Sequence, residues 1–100
     1  MANKAQEARE VADSFNQPEQ KAKRMAELVG HIVDILIEDA LAAAKRGLYD
    51  MSYKMEDMEK ERIRIANLQE EEVTRGVIEK MNELGFQAGF ARPYINVSWK

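Results

Sequence analysis

Hydrophobic positions follow a helical period over most of the chain. From about Asn3 to Phe15, apolar residues recur at spacings of three and four, which predicts a short helix. A second helix is predicted from about Pro18 to Arg46, because proline suits a first helical turn. Its apolar positions form two stripes: Ala22, Met25, Val29, Ile32 and Leu36, and Leu28, Val33, Ile37, Leu41 and Ala44. A helix that is apolar on two sides needs partners on both, so we expect it to contribute to a homo-oligomer.

A third helical stretch is predicted from about Lys54 to Leu84. Its apolar positions approximate a single seam: Met55, Met58, Ile65, Leu68, Val73, Val77, Met81 and Leu84. The alternating residues 62–65 interrupt the helical period, and Asn67 with Glu70 fits a capping box. The stretch is therefore either one long helix or two helices joined near Asn67.

The segment from Leu48 to Tyr53 fits two different structures. As a strand it would place Tyr49, Met51 and Tyr53 on one side, whereas a cap at Asp50 or Ser52 would make it the start of the next helix. The sequence pattern leaves this choice open.

The last residues change to a period of two. Alternating apolar positions fall in two groups: Phe86, Ala88 and Phe90, and then Ile95, Val97 and Trp99. Residues 91–93 read as a turn between them, so the pattern predicts a β-hairpin over residues 85–100. An isolated hairpin is marginal in water. We expect it to pack on the helices, and its free edge is a second candidate for contact between copies.

These patterns together predict one α+β domain over residues 1–100, mostly α. We expect two long antiparallel helices, a short N-terminal helix and a C-terminal β-hairpin. The expected parts are an N-terminal helix or arm over residues 1–17, a helical body over residues 18–84 and the hairpin over residues 85–100.

Composition removes several classes of function. The 100 residues carry 18 acidic and 15 basic side chains, a formal net charge of −3, which disfavours a nucleic-acid binder. The chain has no cysteine, which excludes disulfides and zinc–thiolate sites. It begins without the apolar core of a signal peptide, and its most apolar stretch falls short of a membrane span. We therefore expect no membrane contact and a cytoplasmic location.

Little in the sequence predicts catalysis. Glu27, His31, Asp34 and Glu38 share one face of the second helix, which fits a metal or acid–base site, but a solvated stripe on an apolar helix explains them better. There is no Gly-rich phosphate loop, and His31 is the one histidine of the chain. We predict no enzyme, no metal and no cofactor.

Charged and aromatic residues give two candidate binding surfaces. The acidic residues predicted to contact a protein are Glu70, Glu71, Glu72, Glu56 and Glu59. The alternative is a small-ligand site, for which stacking plus a cation would suit a nucleotide. Its candidates are Arg92, Tyr94 and Lys100, or Lys45 and Arg46.

The stretch after Ala40 resembles a recurrent pattern of small proteins from tailed bacteriophages. In that pattern an Ala-rich helix ends in Gly plus an aromatic residue, here residues 42–49. A helix ending in Leu-Gly-Phe follows, here residues 81–86, and the chain closes on an Ile-x-Val-Ser-Trp strand, here residues 95–99. The highly charged segment from Glu56 to Glu72 departs from the pattern by its length. The resemblance carries no catalytic residues and implies a phage setting.

The leading functional hypothesis is a non-enzymatic phage accessory protein that binds and inhibits a host or anti-phage defence protein in the host cytoplasm. One alternative is an oligomeric sponge that sequesters a small nucleotide signal. The other is a structural component of the phage particle.

Overall fold

The computed structural model of the protein describes residues 3–100, so the first two residues of the predicted arm lie outside it. In chain order the elements are α1 (Lys4–Phe15), α2 (Pro18–Lys45), β1 (Asp50–Lys54), α3 (Asp57–Ile65), α4 (Glu70–Glu83), β2 (Gln87–Ala91) and β3 (Tyr94–Ser98). The mostly helical α+β class is confirmed. The stretch predicted as helical from about Lys54 to Leu84 forms two helices, α3 and α4, which is one of the two alternatives, and the strand β1 precedes it.

The three strands form one antiparallel sheet in the order β1-β3-β2. The ambiguous segment near Tyr53 is thus a strand, and it pairs with the outer edge of the predicted hairpin through Met51–Val97 and Tyr53–Ile95. That edge of the hairpin is therefore occupied within the chain. Within residues 3–100, the sheet edges that remain for contact between copies are the outer sides of β1 and β2.

The core lies between α2, α4 and the inner face of the sheet. The largest fully buried side chains are Ile32, Leu36, Val73, Val77, Met81, Ile95 and Val97. Tyr94, Asn96 and Ser98 alternate with the buried residues of β3 and face the other side of the sheet. The two stripes of α2 are only partly buried, because Leu41 remains 57% exposed.

The joint between α3 and α4 is built differently from the predicted capping box at Asn67 and Glu70. Asn67 has φ 56°, the left-handed conformation, and it follows the end of α3 rather than starting α4. The Leu68 amide donates to the Ile63 carbonyl and the Asn67 amide to the Arg64 carbonyl, which is a Schellman ending. The capping-box prediction was wrong because asparagine favours both a helix start and this left-handed position. Gly47 and Gly85 end α2 and α4 in the same way, which agrees with the predicted helix ends at about Arg46 and Leu84.

The joint also changes which isoleucine enters the core. Ile63 is buried, whereas Ile65, placed on the predicted seam, is 67% exposed. The prediction of a single apolar seam assumed one continuous helix from Met55 to Leu84. Because the chain turns at Ala66, the seams of α3 and α4 have separate phases.

The molecule is elongated because α1 extends away from the body. The extents are 66 × 24 × 21 Å and the radius of gyration is 17.1 Å, compared with about 13 Å for a compact domain of this length. A 28-residue helix such as α2 is about 42 Å long and a 12-residue helix such as α1 is about 18 Å long. The long dimension therefore needs α1 to continue beyond α2. No residue of α1 is buried, so α1 is a projecting arm.

Candidate functional site

The first turn of α4 presents three consecutive carboxylates, Glu70, Glu71 and Glu72, all exposed. Glu71 accepts a hydrogen bond from Arg92 at 3.1 Å, and both side chains are largely exposed. The N-cap residue Gln69 makes no side-chain capping bond. Because the three carboxylates lie in the first turn, they also offset the positive end of the helix dipole. A test of binding must separate this structural role from any contact with a partner.

Beside this turn lies a cleft of about 560 Å³, here called the α4 cleft. Its charged and aromatic lining comprises Lys54, Lys60, Glu70, Glu71, Phe90 and Arg92. Phe90 is 46% exposed although it occupies an inward position of β2 opposite Ile95. The cleft thus combines an exposed apolar surface with charges of both signs.

Two members of the predicted acidic set have another role. Glu59 is only 5% exposed, and its carboxylate accepts a hydrogen bond from the Glu56 amide at 3.1 Å. The Glu56 side chain in turn accepts from the amide of residue 59, which completes a capping box at the start of α3. The prediction that Glu59 forms part of an exposed acidic surface was wrong. The pattern Glu-x-x-Glu at a helix start is the signal that could have indicated the cap.

The predicted small-ligand residues do not meet at one place. Arg92 lies in the turn before β3 and Lys100 lies beyond its other end, separated by the five-residue strand of roughly 16 Å. Tyr94 is on the outer face of the sheet, away from the α4 cleft. Of the set Arg92, Tyr94 and Lys100, only Arg92 lines that cleft.

The aromatic residues are likewise divided between the two ends of the sheet. Trp99 contacts Phe86 edge to face, with ring centroids 6.4 Å apart, and its indole N–H donates to the Leu48 carbonyl at 3.1 Å. The Lys100 ammonium lies 5.3 Å from the centre of the Tyr49 ring. These contacts tie the C-terminal strand to the turn that follows Lys45 and Arg46. They give Trp99, Phe86 and Tyr49 structural roles at the end of the sheet away from Arg92.

Tyr53 is the most strongly perturbed titratable group of the sheet. Burial raises its pKa to about 12, and the nearby carboxylates of Glu59, Glu56 and Asp39 add to the effect. Its side chain belongs to the core cluster. The perturbation therefore reflects packing of the phenol and gives it no reactive partner.

A second concave surface lies where α1, α2 and α3 meet. Arg24 on α2 donates from Nε to the Ala66 carbonyl at 3.0 Å and from Nη1 to the Phe15 carbonyl at 2.6 Å. Its guanidinium also stacks on the Phe15 ring, 3.6 Å from the centroid. Asn67 Nδ2 donates to Asn16 Oδ1 at 2.8 Å. These contacts fix the foot of the arm to the joint between α3 and α4.

The surface beside this joint is a groove of about 420 Å³, here called the arm groove. Its lining includes Phe15, Arg24, Leu28, His31, Arg62 and Ile65. The Nη2 atom of Arg24 is enclosed without a hydrogen-bond partner in residues 3–100. The sequence did not single out this groove, because Arg24 and Arg62 are distant along the chain and both read as helix surface.

The polar face of α2 that carries Glu27, His31, Asp34 and Glu38 contacts α3 through His31. Its Nε2 is 2.7 Å from Arg62 Nη1, so Nε2 accepts a hydrogen bond from the guanidinium. A cation thus sits where a metal would have to bind. Within residues 3–100 no group of three or more His, Cys, Asp or Glu side chains could hold a metal ion. Over the same range no helix is long and apolar enough to span a membrane.

Comparison of the chain with protein-family models, with curated proteins and with solved structures found no match.

Proposed function

We propose that this protein is a non-enzymatic accessory protein that acts by binding another protein through Glu70, Glu71 and Glu72. The observation that carries the proposal is that Glu70 and Glu71 line the α4 cleft together with the exposed ring of Phe90, while Glu72 follows them on the same exposed helical turn. Protein interfaces commonly combine an aromatic anchor with a polar rim. The partner surface should accordingly be basic around an apolar centre.

The biological setting of this proposal follows from the resemblance of the stretch after Ala40 to small phage proteins. In that setting the partner is a host or anti-phage defence protein in the host cytoplasm, and binding inhibits it. Complementary charge would accelerate encounter with a basic partner and favour the correct orientation. Association should therefore weaken steeply as ionic strength rises.

The test must separate binding from the role of the same carboxylates at the helix start. The variant Glu70→Lys/Glu72→Lys leaves the Glu71–Arg92 pair in place. The matched control, Glu79→Lys/Glu83→Lys, reverses two charges on the second half of the same helix. Tagged wild type and both variants are used to capture proteins from host lysate, and the captured proteins are quantified by mass spectrometry.

A partner retained by wild type and control is then purified and titrated by calorimetry. We expect the Glu70→Lys/Glu72→Lys variant to bind at least 10-fold more weakly, while the control binds as wild type does. Melting temperatures of all three proteins show whether the loss arises from unfolding. An affinity that does not change on reversal of Glu70 and Glu72 would remove this surface from the proposal.

One observation favours the nucleotide-sequestering alternative. Lys54, Lys60 and Arg92 line the α4 cleft together with Phe90, which offers cations to the phosphate of a nucleotide and an aromatic ring to its base. The carboxylates of Glu70 and Glu71 oppose it, since a phosphate would have to displace Glu71 from Arg92. Native mass spectrometry of protein purified without added ligand distinguishes the two functions. An adduct of nucleotide mass that disappears in Arg92→Ala would favour sequestration, and its absence would favour protein binding.

A further inference from the structure

The outer edge of β1 carries backbone groups that its own sheet leaves unpaired. The Trp99 amide donates to the Tyr49 carbonyl at 3.0 Å, and the register of β1 on β3 places these two residues directly opposite each other. Hydrogen-bonded pairs alternate along an antiparallel ladder, so the odd-numbered residues of β1 bond to β3. The amides and carbonyls of the even-numbered residues therefore point to the free side of the strand: Asp50, Ser52 and Lys54.

The edge of β2 is less open to a partner strand. The Ala88 amide points away from β3 and donates to Asn82 Oδ1 on α4 at 2.9 Å, so part of this edge is already used. The sequence of β2 also has no charged side chain that could select one register over another. Unpaired strand edges favour addition of a further strand. We therefore examine β1 as the edge that a partner can extend in a defined register.

The side chains of the outward-pointing residues of β1 lie on the outer face of the sheet. Ser52 Oγ donates to Asn96 Oδ1 on that face at 2.7 Å, and Asp50 and Lys54 on either side of Ser52 are exposed. The residues opposite Asp50 and Lys54 on β3 are uncharged. Within residues 3–100 neither Asp50 nor Lys54 forms an ion pair. Both charges are thus available to a partner strand.

The order of these charges makes β1 complementary to itself. In two antiparallel copies related by a two-fold axis at Ser52, Asp50 of each copy lies opposite Lys54 of the other. This register pairs all of the outward-pointing residues, and each pair exchanges two backbone hydrogen bonds. An axis at Asp50 or at Lys54 would place like charges opposite each other, which is unfavourable. An axis at Met51 or at Tyr53 would place one charge opposite Ser52 and leave the other charge without a partner in the strand.

We propose that β1 pairs with β1 of a second copy about a two-fold axis at Ser52, so that the two three-stranded sheets join into one. Because the edge is self-complementary, one axis satisfies both copies and closes the assembly as a dimer. On the inner face, the same register places Met51 beside Tyr53 of the other copy. Met51 is only partly buried within its own chain, so the contact buries apolar surface in addition to pairing the backbones.

The first test measures the oligomeric state of the full chain by sedimentation velocity over a range of concentrations. We expect wild type to form a concentration-dependent dimer. Asp50→Lys and Lys54→Asp should each weaken it about 10-fold or more, because like charges then face each other at both ends of the paired strands. The double variant Asp50→Lys/Lys54→Asp should recover the dimer, because the reversed charges again lie opposite each other.

Matched controls keep the change in net charge but move it away from the sheet. Asp13→Lys on α1 and Lys23→Asp on α2 alter exposed positions and should dimerise as wild type does. Circular dichroism verifies that every variant keeps its secondary structure.

A second test identifies the edge that pairs. Amide exchange of the wild type is followed by NMR at one concentration below and one above the dimer transition. The outward-pointing amides of Asp50, Ser52 and Lys54 should become protected only at the higher concentration. The amides of Met51 and Tyr53, which bond to β3, should be protected at both concentrations.

Several results would overturn the proposal: a monomeric wild type, a dimer unaffected by Asp50→Lys, no recovery in the double variant, loss of the dimer in the controls, or edge amides whose exchange does not depend on concentration. The proposed function is tested separately. Lys54 lines the α4 cleft but Asp50 does not, so Asp50→Lys can lose the dimer while it keeps the Glu70–Glu72 surface.

Discussion

Gly76 on α4 lies directly against Val29 on α2: a Cβ atom added at Gly76 would be 2.9 Å from Val29 Cγ2. Val29 is half-buried and packs on the core cluster. Because valine is branched at Cβ and stiff at χ1, its methyl group cannot easily move aside. The glycine is therefore a packing requirement of the α2–α4 contact, although glycine inside a helix is otherwise unfavourable.

The contact between these two helices predicts that Gly76→Ala destabilises the protein. Alanine gains about 1 kcal/mol in helix propensity, but overpacking against Val29 costs about 1–3 kcal/mol. We expect a net loss of about 1 kcal/mol in the free energy of unfolding, measured by urea denaturation. In a Val29→Ala background the same substitution should become neutral or stabilising, because the opposing methyl groups are gone. An equal loss in both backgrounds would show that Val29 does not limit the approach.

The capping box at the start of α3 predicts different results for two substitutions of Glu59. Glu59→Ala removes the acceptor of the Glu56 amide and should cost about 1 kcal/mol of stability. Glu59→Gln keeps an acceptor oxygen and should cost less than half of that. Glu61→Ala, which removes only an exposed pair with Arg64, serves as control and should leave the stability close to that of wild type. Thermal unfolding measures all three, and equal effects of the two Glu59 variants would argue against the cap.

The raised pKa of Tyr53 predicts that the protein loses stability at alkaline pH. Its folded-state pKa of about 12 exceeds the unfolded value of about 10. Its contribution is therefore fully present below pH 10 and is lost as pH rises from 10 to 12. We expect a fall of about 1–2 kcal/mol, less than the roughly 2.7 kcal/mol of two full pKa units, because the side chain keeps some solvent contact.

The measurement for Tyr53 compares wild type and Tyr53→Phe in urea at several pH values between 9 and about 12, a range set by its two pKa values. The difference between the two proteins should change with pH, since phenylalanine has no proton to lose. Tyr94→Phe, which removes the hydroxyl of an exposed tyrosine, should follow wild type throughout. A Tyr53→Phe profile parallel to that of wild type would contradict the assignment.

The contacts of Arg24 predict that this residue holds the end of α1 against the body of the protein. Arg24→Met removes both carbonyl contacts while keeping a long apolar side chain over Phe15. We expect a loss of about 1–2 kcal/mol of stability, since hydrogen bonds from charged donors contribute more than neutral ones. Amide exchange around Asn16 and Asn67 should accelerate more than exchange in the core of α4. Arg9→Met, on the exposed surface of α1, is the control and should leave both rates unchanged.

The sequence predicted those elements whose signals are local. Pro18, Gly47 and Gly85 mark helix boundaries through the backbone preferences of single residues, and the boundaries lie within a residue or two of those predicted near Pro18, Arg46 and Leu84. The hairpin followed from strict alternation of Ile95 and Val97 with polar neighbours. These features require no information about the rest of the chain.

Other features depend on residues far apart in the chain. Tyr53 could belong to a strand or a helix until Ile95, its partner across the sheet, was placed beside it. Asn67 fits two backbone roles equally well, and only the turn at Ala66 decides between them. The arm groove depends on Arg24 reaching Ala66, a contact across 42 residues that no local pattern records. The acidic residues of α4 were visible in the sequence, whereas the burial of Glu59 was not.

The strand order has a consequence for how the chain is made. β3 follows β1 and β2 along the chain but is the central strand of the sheet, so β1 and β2 do not pair with each other. A nascent chain that has emerged only as far as Ala91 holds both outer strands with their pairing groups unfilled. The sheet must therefore close late, after synthesis has passed Ser98. Until then the helices alone shield the apolar residues of β1 from other emerging chains.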